Sequence, residues 1–301
     1  MLYEVSGNGL LQTVNYNFDQ LAGPQAGTNF YVDGNAGDDT EDGLSWGTAF
    51  KTLAVGLAVS HANIALNAWG WAARNRIYCK GDALTEDLVL LAQKTDIIGV
   101  GSYNQWFGCG LIGNHVPISS TGIGVRFYNM YFRAPAGGGD IFTLNSTQRG
   151  IEFHNCFFDA TNTANASAAI VTAAVWFLKV MDCHFVGAFS DSVIEIGAGN
   201  AQGLEILRNY IESADNGIEL SASATSSPNK MMIAENKIVS TEIGVNDLSG
   251  LAYIVNNRVV TLNAKGTAGA GAIVGGAYRM LGNLFSASNV ANCIQPANGA
   301  I

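Results

Sequence analysis

The chain has 301 residues, 48% of them hydrophobic and only 13% charged, with a net charge of −9. That balance excludes bulk disorder, and the longest apolar run, the 11 residues from Ala168 to Leu178 with Thr172 inside it, is too short to cross a bilayer. The 15 lysines and arginines are scattered rather than clustered, so no nucleic-acid footprint is expected.

Residues 1–28 have no basic start and no apolar core of useful length, and Glu4 comes early, so no signal peptide is read. Leu2, Tyr3, Val5, Leu10, Leu11, Val14 and Phe18 make this stretch an N-terminal arm, either one with apolar surface to offer a partner or a loosely packed extension. A domain of residues 29–301 comes next, opening with an entry loop and capping helix over 29–62. In the loop, Asp33, Asp38, Asp39 and Asp42 raise the question of calcium. The spacing departs from the EF-hand pattern and lacks the glutamate at position twelve, and Asx turns explain the composition without a cation. No cofactor is therefore expected, with calcium as the alternative, since carboxylates this close repel and a cation would relieve them. Ala49, Phe50, Leu53, Leu57 and Ala58 recur at helical spacing and predict a helix within 48–60, capped by Ser45 or Thr48. This helix would plug the N-terminal end of the domain. Five cysteines, an odd number without a Cys-x-x-Cys, argue against a disulfide framework or zinc finger and for folding in a reducing compartment.

From residue 126 the chain repeats itself. The segments RFYNMYF, EFHNCFF, KVMDCHF, EILRNYI, MIAENKI, YIVNNRV and RMLGNLF end at Phe132, Phe158, Phe185, Ile211, Ile238, Val259 and Phe285, in steps of 26, 27, 26, 27, 21 and 26. A second apolar column lies five residues earlier, from Phe127 to Met280, and a third column reads Met130, Cys156, Cys183, Asn209, Asn236, Asn257, Asn283. Between these segments a further strand recurs as DIFTL, AIVTA, VIEIG, GIELS, GVNDL and AIVGG. Short β-branched and aromatic runs cut by Gly, Asn, Asp and Ser read as strands and turns, and no crossover helix fits between them. The fold that remains is all-β: a single-stranded right-handed parallel β-helix of about nine or ten coils. Coils stacked at ~4.8 Å bring each column into contact, so Asn209, Asn236, Asn257 and Asn283 are expected to form a hydrogen-bonded ladder at a turn.

This stack resembles the pectin-lyase-like superfamily of right-handed parallel β-helices, which includes pectate lyases and bacteriophage tailspikes. The asparagine ladder carries part of that resemblance. The entry segment Phe30–Leu53 and the stretches Arg76–Asp82, Glu86–Leu91 and Asp96–Ser102, similar to first coils, carry the rest. The resemblance implies the fold; the fold alone does not imply the activity.

Glu195 and Glu219 fall at equivalent places on successive coils, both pointing outward about one strand spacing apart, which suits retaining glycoside hydrolysis. Two surface glutamates need no such function. His154, Cys156, Cys183 and His184 lie on adjacent coils but on columns that face differently, so no tetrahedral metal site is expected. Tyr131, Phe157, His184 and Tyr210, then Lys237 and Arg258, form an outward stripe suited to a protein interface, to cover by the chain's own loops, or to stacking on sugar rings. No acid–base constellation convinces, and the resemblance to tailspikes supplies a virus context. The expectation is a structural virion protein of a bacteriophage (capsid decoration, tail or fibre component), assembled in the host cytoplasm. It would associate with itself as a trimer, the number being borrowed from tailspikes, and with other virion proteins, without inserting in a membrane. The alternative is a polysaccharide-degrading glycosidase or lyase, or an adhesin binding a surface glycan.

Overall fold

The computed structural model describes residues 27–66, 73–101, 109–117, 122–145, 148–161, 166–197, 199–212, 215–221, 224–225, 231–262, 271–275 and 279–287, together with the short strands Tyr3–Val5 and Leu11–Thr13. Those two strands pair antiparallel in a sheet of their own. The rest of the N-terminal arm up to residue 26 and the C-terminal stretch 288–301 lie outside the described residues.

The odd spacing between the apolar columns has a local cause. In each repeat the residue before the third column has positive φ: Asn129 (55°), Asn155 (49°), Asp182 (55°), Arg208 (55°), Glu235 (59°), Asn256 (52°) and Gly282 (67°). A left-handed residue turns the chain sharply, so the strand before it and the strand after it lie on different faces and both send apolar side chains inward. Asn, Asp and Gly adopt this conformation most readily, and they fill five of these seven positions.

The strands before the turn stack on one another in parallel, from Asn29–Asp33 through Arg126–Tyr128, Glu152–His154, Lys179–Met181 and Glu205–Leu207 to Arg279–Leu281. Those after it stack in parallel from Cys109–Ile112 through Phe157–Ala160 and Lys237–Ser240 to Leu284–Ala287. These first and second faces together form one bent sheet of 18 strands, linked through the long strand Asn75–Thr85, whose register shifts between Gly81 and Leu84. A third face holds six parallel strands: Phe142–Leu144, Ile170–Thr172, Ser192–Ile196, Asn216–Leu220, Ile243–Asp247 and Gly271–Gly275. The chain visits first, second and third face in that order and then begins the next level. This long all-parallel arrangement is consistent with a parallel β-helix-like solenoid.

One apolar cluster runs through the interior. Its columns repeat the sequence columns, with Phe127 stacked on Phe153 (5.1 Å) and Phe158 on Phe185 (4.6 Å). Cys79, Cys109, Cys156 and Cys183 are buried and unbonded to one another.

The entry segment departs from the sequence expectation. The helix spans Leu53–Leu66 (α1), not 48–60. Phe50 is drawn into a bridge with Val32, so the preceding residues cannot be helical and form only the 3-10 turn Trp46–Thr48. Ser45 and Thr48 hydrogen-bond each other rather than cap α1. The cap comes from Thr52 Oγ1, which accepts from the Val55 N–H, and from Glu86, whose carboxylate accepts from the Leu53 and Ala54 N–H groups at 2.9 and 2.8 Å. Glu86–Leu91 is accordingly not a strand. It is a cover segment that sends Leu88 and Leu91 into the core while Glu86 reaches the helix.

Candidate functional site

The turn column positions the asparagines. Asn209 Nδ2 donates to Asn236 Oδ1, Asn236 Nδ2 to Asn257 Oδ1, and Asn257 Nδ2 to Asn283 Oδ1, at 2.9, 2.9 and 3.0 Å. The same three oxygens also accept the backbone N–H of the asparagine before them. Each Nδ2 gives its second hydrogen to a carbonyl, Val180, Ile206, Ile233 or Ile254. Cys183 ends the ladder, donating its N–H to Asn209 Oδ1, while its own Sγ accepts from the Cys156 N–H.

The first face carries a charge column, buried at Arg76 and Asp96, that the sequence reasoning missed. Its register places Arg76, Asp96, Arg126, Glu152, Lys179 and Glu205 on successive strands, alternating in sign. Asp96 is fully buried and accepts two hydrogen bonds from Arg126 at 2.7 Å each and one from Arg74 at 2.8 Å. Lys179 lies 3.5 Å from Glu205. Burial disfavours the Glu152 carboxylate, but the hydrogen bond to His154 and the cations of Lys179 and Arg126 outweigh it and hold the group below its usual range. The signal stood in the sequence: the first four aligned segments begin Arg, Glu, Lys, Glu.

On the second face the aromatic stripe is continuous. Tyr131 stacks on Phe157 (5.5 Å), Phe157 on His184 (6.2 Å), and His184 lies 5.8 Å from Tyr210, over which Lys237 Nζ sits at 4.7 Å. One member differs from the expectation of an exposed stripe. Tyr131 is only 5% exposed, and its hydroxyl donates to Asp159. The accessible part of the stripe therefore runs from Phe157 through the exposed His184 to the exposed Lys237 and Arg258. Arg208 stands apart from it at the left-handed position just before the turn column, where it clasps Asp182 of the preceding level at 2.8 and 2.9 Å.

The third face is acidic. Glu195 and Glu219 are direct register partners, both half-buried. Glu219 accepts from Ser192 Oγ and Asn246 Nδ2, each at 3.3 Å. The Glu195 carboxyl is raised above its usual range by burial first and then by the charges of Asp191, Glu219 and Asp140. Asp140 is raised too, chiefly by burial. Asp215 and the exposed Glu242 continue this acidic edge, and the six strands of the face contain no lysine or arginine.

The aspartates of the entry loop do not converge. Asp33 accepts from the N–H groups of Asn35 and Ala36 and pairs with Lys80, Asp38 accepts from Thr40, and Asp42 from the Leu44 N–H. Asp39 accepts from the N–H groups of Lys51 and Thr52. Each carboxylate is thus occupied in shaping the loop. Among the described residues no group of three or more His, Cys, Asp or Glu side chains is placed to hold a metal ion, His154, Cys156, Cys183 and His184 included. No helix among them is long and apolar enough to cross a membrane. Comparison of the chain with protein-family models, with curated proteins and with solved structures finds no match in any of the three.

Proposed function

We propose that the chain is a right-handed parallel β-helix of the pectin-lyase-like type serving as a structural component of a bacteriophage particle, self-associated and in contact with other virion proteins. One observation carries this reading. Polar and aromatic side chains pair along the stack, level to level: asparagine to asparagine at the turn, cation to anion on the first face, ring to ring on the second. Such pairing makes a rigid rod. A cleft that cleaves a glycan instead brings an acid, a base or nucleophile and binding groups to one point. The likeness of the entry segment and the asparagine ladder to tailspikes supports the viral setting and the trimer.

A second reading rests on Glu195 and Glu219. One carboxyl raised by burial and by its acidic neighbours beside a second that accepts two hydrogen bonds is the pairing a glycosidase uses as acid and nucleophile. Incubation with a panel of surface polysaccharides separates the two. The structural reading expects no reducing sugar and no new ultraviolet absorbance from unsaturated products. Sugar release by the wild type that is lost in Glu195→Gln and Glu219→Gln would overturn it. Detection of the chain in purified particles by mass spectrometry is the positive test.

A further inference from the structure

The second and third faces of one molecule are opposite in charge along the same levels of the stack. The second face presents His184, Tyr210, Lys237 and Arg258 on four successive strands. The third face presents Glu195 and Glu219 on the strands that come after the first two of them, and Asp191, Asp215 and Glu242 immediately before the strands Ser192–Ile196, Asn216–Leu220 and Ile243–Asp247, with no cation in any of its strands. An unrelieved row of carboxylates is unfavourable by itself, because each raises the cost of ionising its neighbours. A second feature of this face concerns hydrogen bonding rather than charge. Asn246 is only 9% exposed, and its Nδ2 donates to Glu219, yet its Oδ1 has no hydrogen-bond partner. A buried acceptor left unpaired forfeits the hydrogen bonds it made to water, so this face carries an unserved acceptor as well as uncompensated negative charge.

We infer that the third face of one molecule receives the Tyr210–Lys237–Arg258 stripe of a second copy of the same chain, side by side with it. The inference deepens the self-association in the proposed function and rests on it. The stripe supplies both missing things, positive charge and N–H or O–H donors. Tyr210 and His184 add flat apolar area of the kind interfaces favour. The contact is heterologous, since one copy offers its second face and the next its third, so it propagates around an axis and closes into a ring if the rotation allows. The Glu195 carboxyl, raised by its burial and its neighbours, and the His184 ring, lowered by burial, would each meet an opposite partner there. The chain's low charge, 39 charged residues in 301, fits a lateral surface covered by its own kind.

The test reverses charge at exposed positions, leaving the half-buried glutamates in place so that folding is spared. One variant, Lys237→Glu/Arg258→Glu, makes both faces acidic. The other, Asp191→Lys/Glu242→Lys, gives the third face cations. Sedimentation velocity at low salt on the full chain is the measurement, with circular dichroism melting to verify that each variant is folded. The expected result is an associating wild type, at least tenfold weaker association in each variant alone, and pairing of one variant with the other when the two are mixed, because each then carries the face the other needs, although a ring of three would retain one mismatched contact. A wild type that is monomeric at micromolar concentration overturns both this inference and the self-association it rests on. A wild type that associates, with both variants associating equally well, overturns the assignment of the faces alone.

Discussion

At the scale of single residues, the ladder shows how much one side chain can hold. Asn236 Oδ1 accepts both the Nδ2 and the backbone N–H of Asn209, and its Nδ2 serves Ile206 and Asn257. Asn236→Leu strands buried donors on one side and acceptors on the other, so it is expected to lower unfolding free energy by about 3 kcal/mol, read from the urea midpoint. A variant that unfolds with the wild type would show that the ladder contributes nothing. Glu235, just before it, sits exposed at φ 59°. Unlike Arg208, which gains Asp182 in return, it makes no ion pair among those seen in the described residues. Glu235→Gly should therefore stabilise by about 0.5–1 kcal/mol, the left-handed strain relieved less the added chain entropy of glycine. His115 is the acid-sensitive residue. It is fully buried against Phe142, accepts the Leu88 N–H at Nδ1, and burial lowers it to about 3, against a weaker upward pull from Asp87. A neutral, buried histidine binds fewer protons folded than unfolded. Stability is then undiminished above its ordinary value of about 6.5 and falls as pH drops toward 3, by up to about 1.4 kcal/mol per pH unit. In His115→Leu, less stable at neutral pH through the lost acceptor, the slope of stability against pH between 6 and 4 should shrink by close to one proton. An unchanged slope would place the acid sensitivity elsewhere.

Elements differ in how far their cause lies in their own sequence. The strands of the three faces were legible because each level repeats the same inward columns. The bend was legible because an odd spacing of five demands one. The turn residues were not legible in the same way: Asp182 and Glu235 occupy the left-handed position, and only the φ angles show it. The charge column of the first face lay in plain view as Arg126, Glu152, Lys179 and Glu205. It acquires meaning only when parallel register puts those residues side by side. The start of α1 was misjudged for a different reason. Its cap comes from Glu86, 33 residues away, and no local pattern announces a partner at that distance. Glu86 binds two of the first N–H groups of the helix, and burial raises its carboxyl against the pull of those bonds. Glu86→Ala should cost about 1–2 kcal/mol, in the range of a lost helix cap. Glu86→Gln, which keeps one acceptor oxygen, should lose less. Equal thermal melts for the alanine variant and the wild type would mean that water replaces the carboxylate at no cost.

Across the whole molecule the two kinds of stacking occupy different halves. Phe127, Phe132, Phe142, Phe153, Phe158 and Phe185 form a connected aromatic group, with Phe142 of the third face 4.9 Å from Phe132 and 5.0 Å from Phe153. There the turn column is apolar: Met130, Cys156, Cys183. Beyond it the core columns turn aliphatic, as Ile206, Ile211, Ile233, Ile238, Ile254 and Val259, and the turn column becomes the asparagine ladder. Where rings no longer fill the interior, hydrogen bonds take over the cohesion between levels. The two devices are unequal. Each aromatic pair adds about 0.5–1.5 kcal/mol beyond its buried area, and its large side chain forfeits about 3–5 kcal/mol when truncated. A ladder amide nets roughly 1 kcal/mol per hydrogen bond. In a stack where each level touches only its neighbours, stability is a sum of local terms and opening spreads from the weaker end. Native-state hydrogen exchange should therefore show strands Met231–Ala234, Lys237–Ser240 and Ala252–Val255 exchanging before Arg126–Tyr128, Met130–Arg133 and Phe157–Ala160. Asn236→Leu should widen that gap by speeding the first group and leaving the second unchanged. Exchange at one common rate in both groups, or an effect of Asn236→Leu that reaches the aromatic half undiminished, would show the stack to open as a single unit instead.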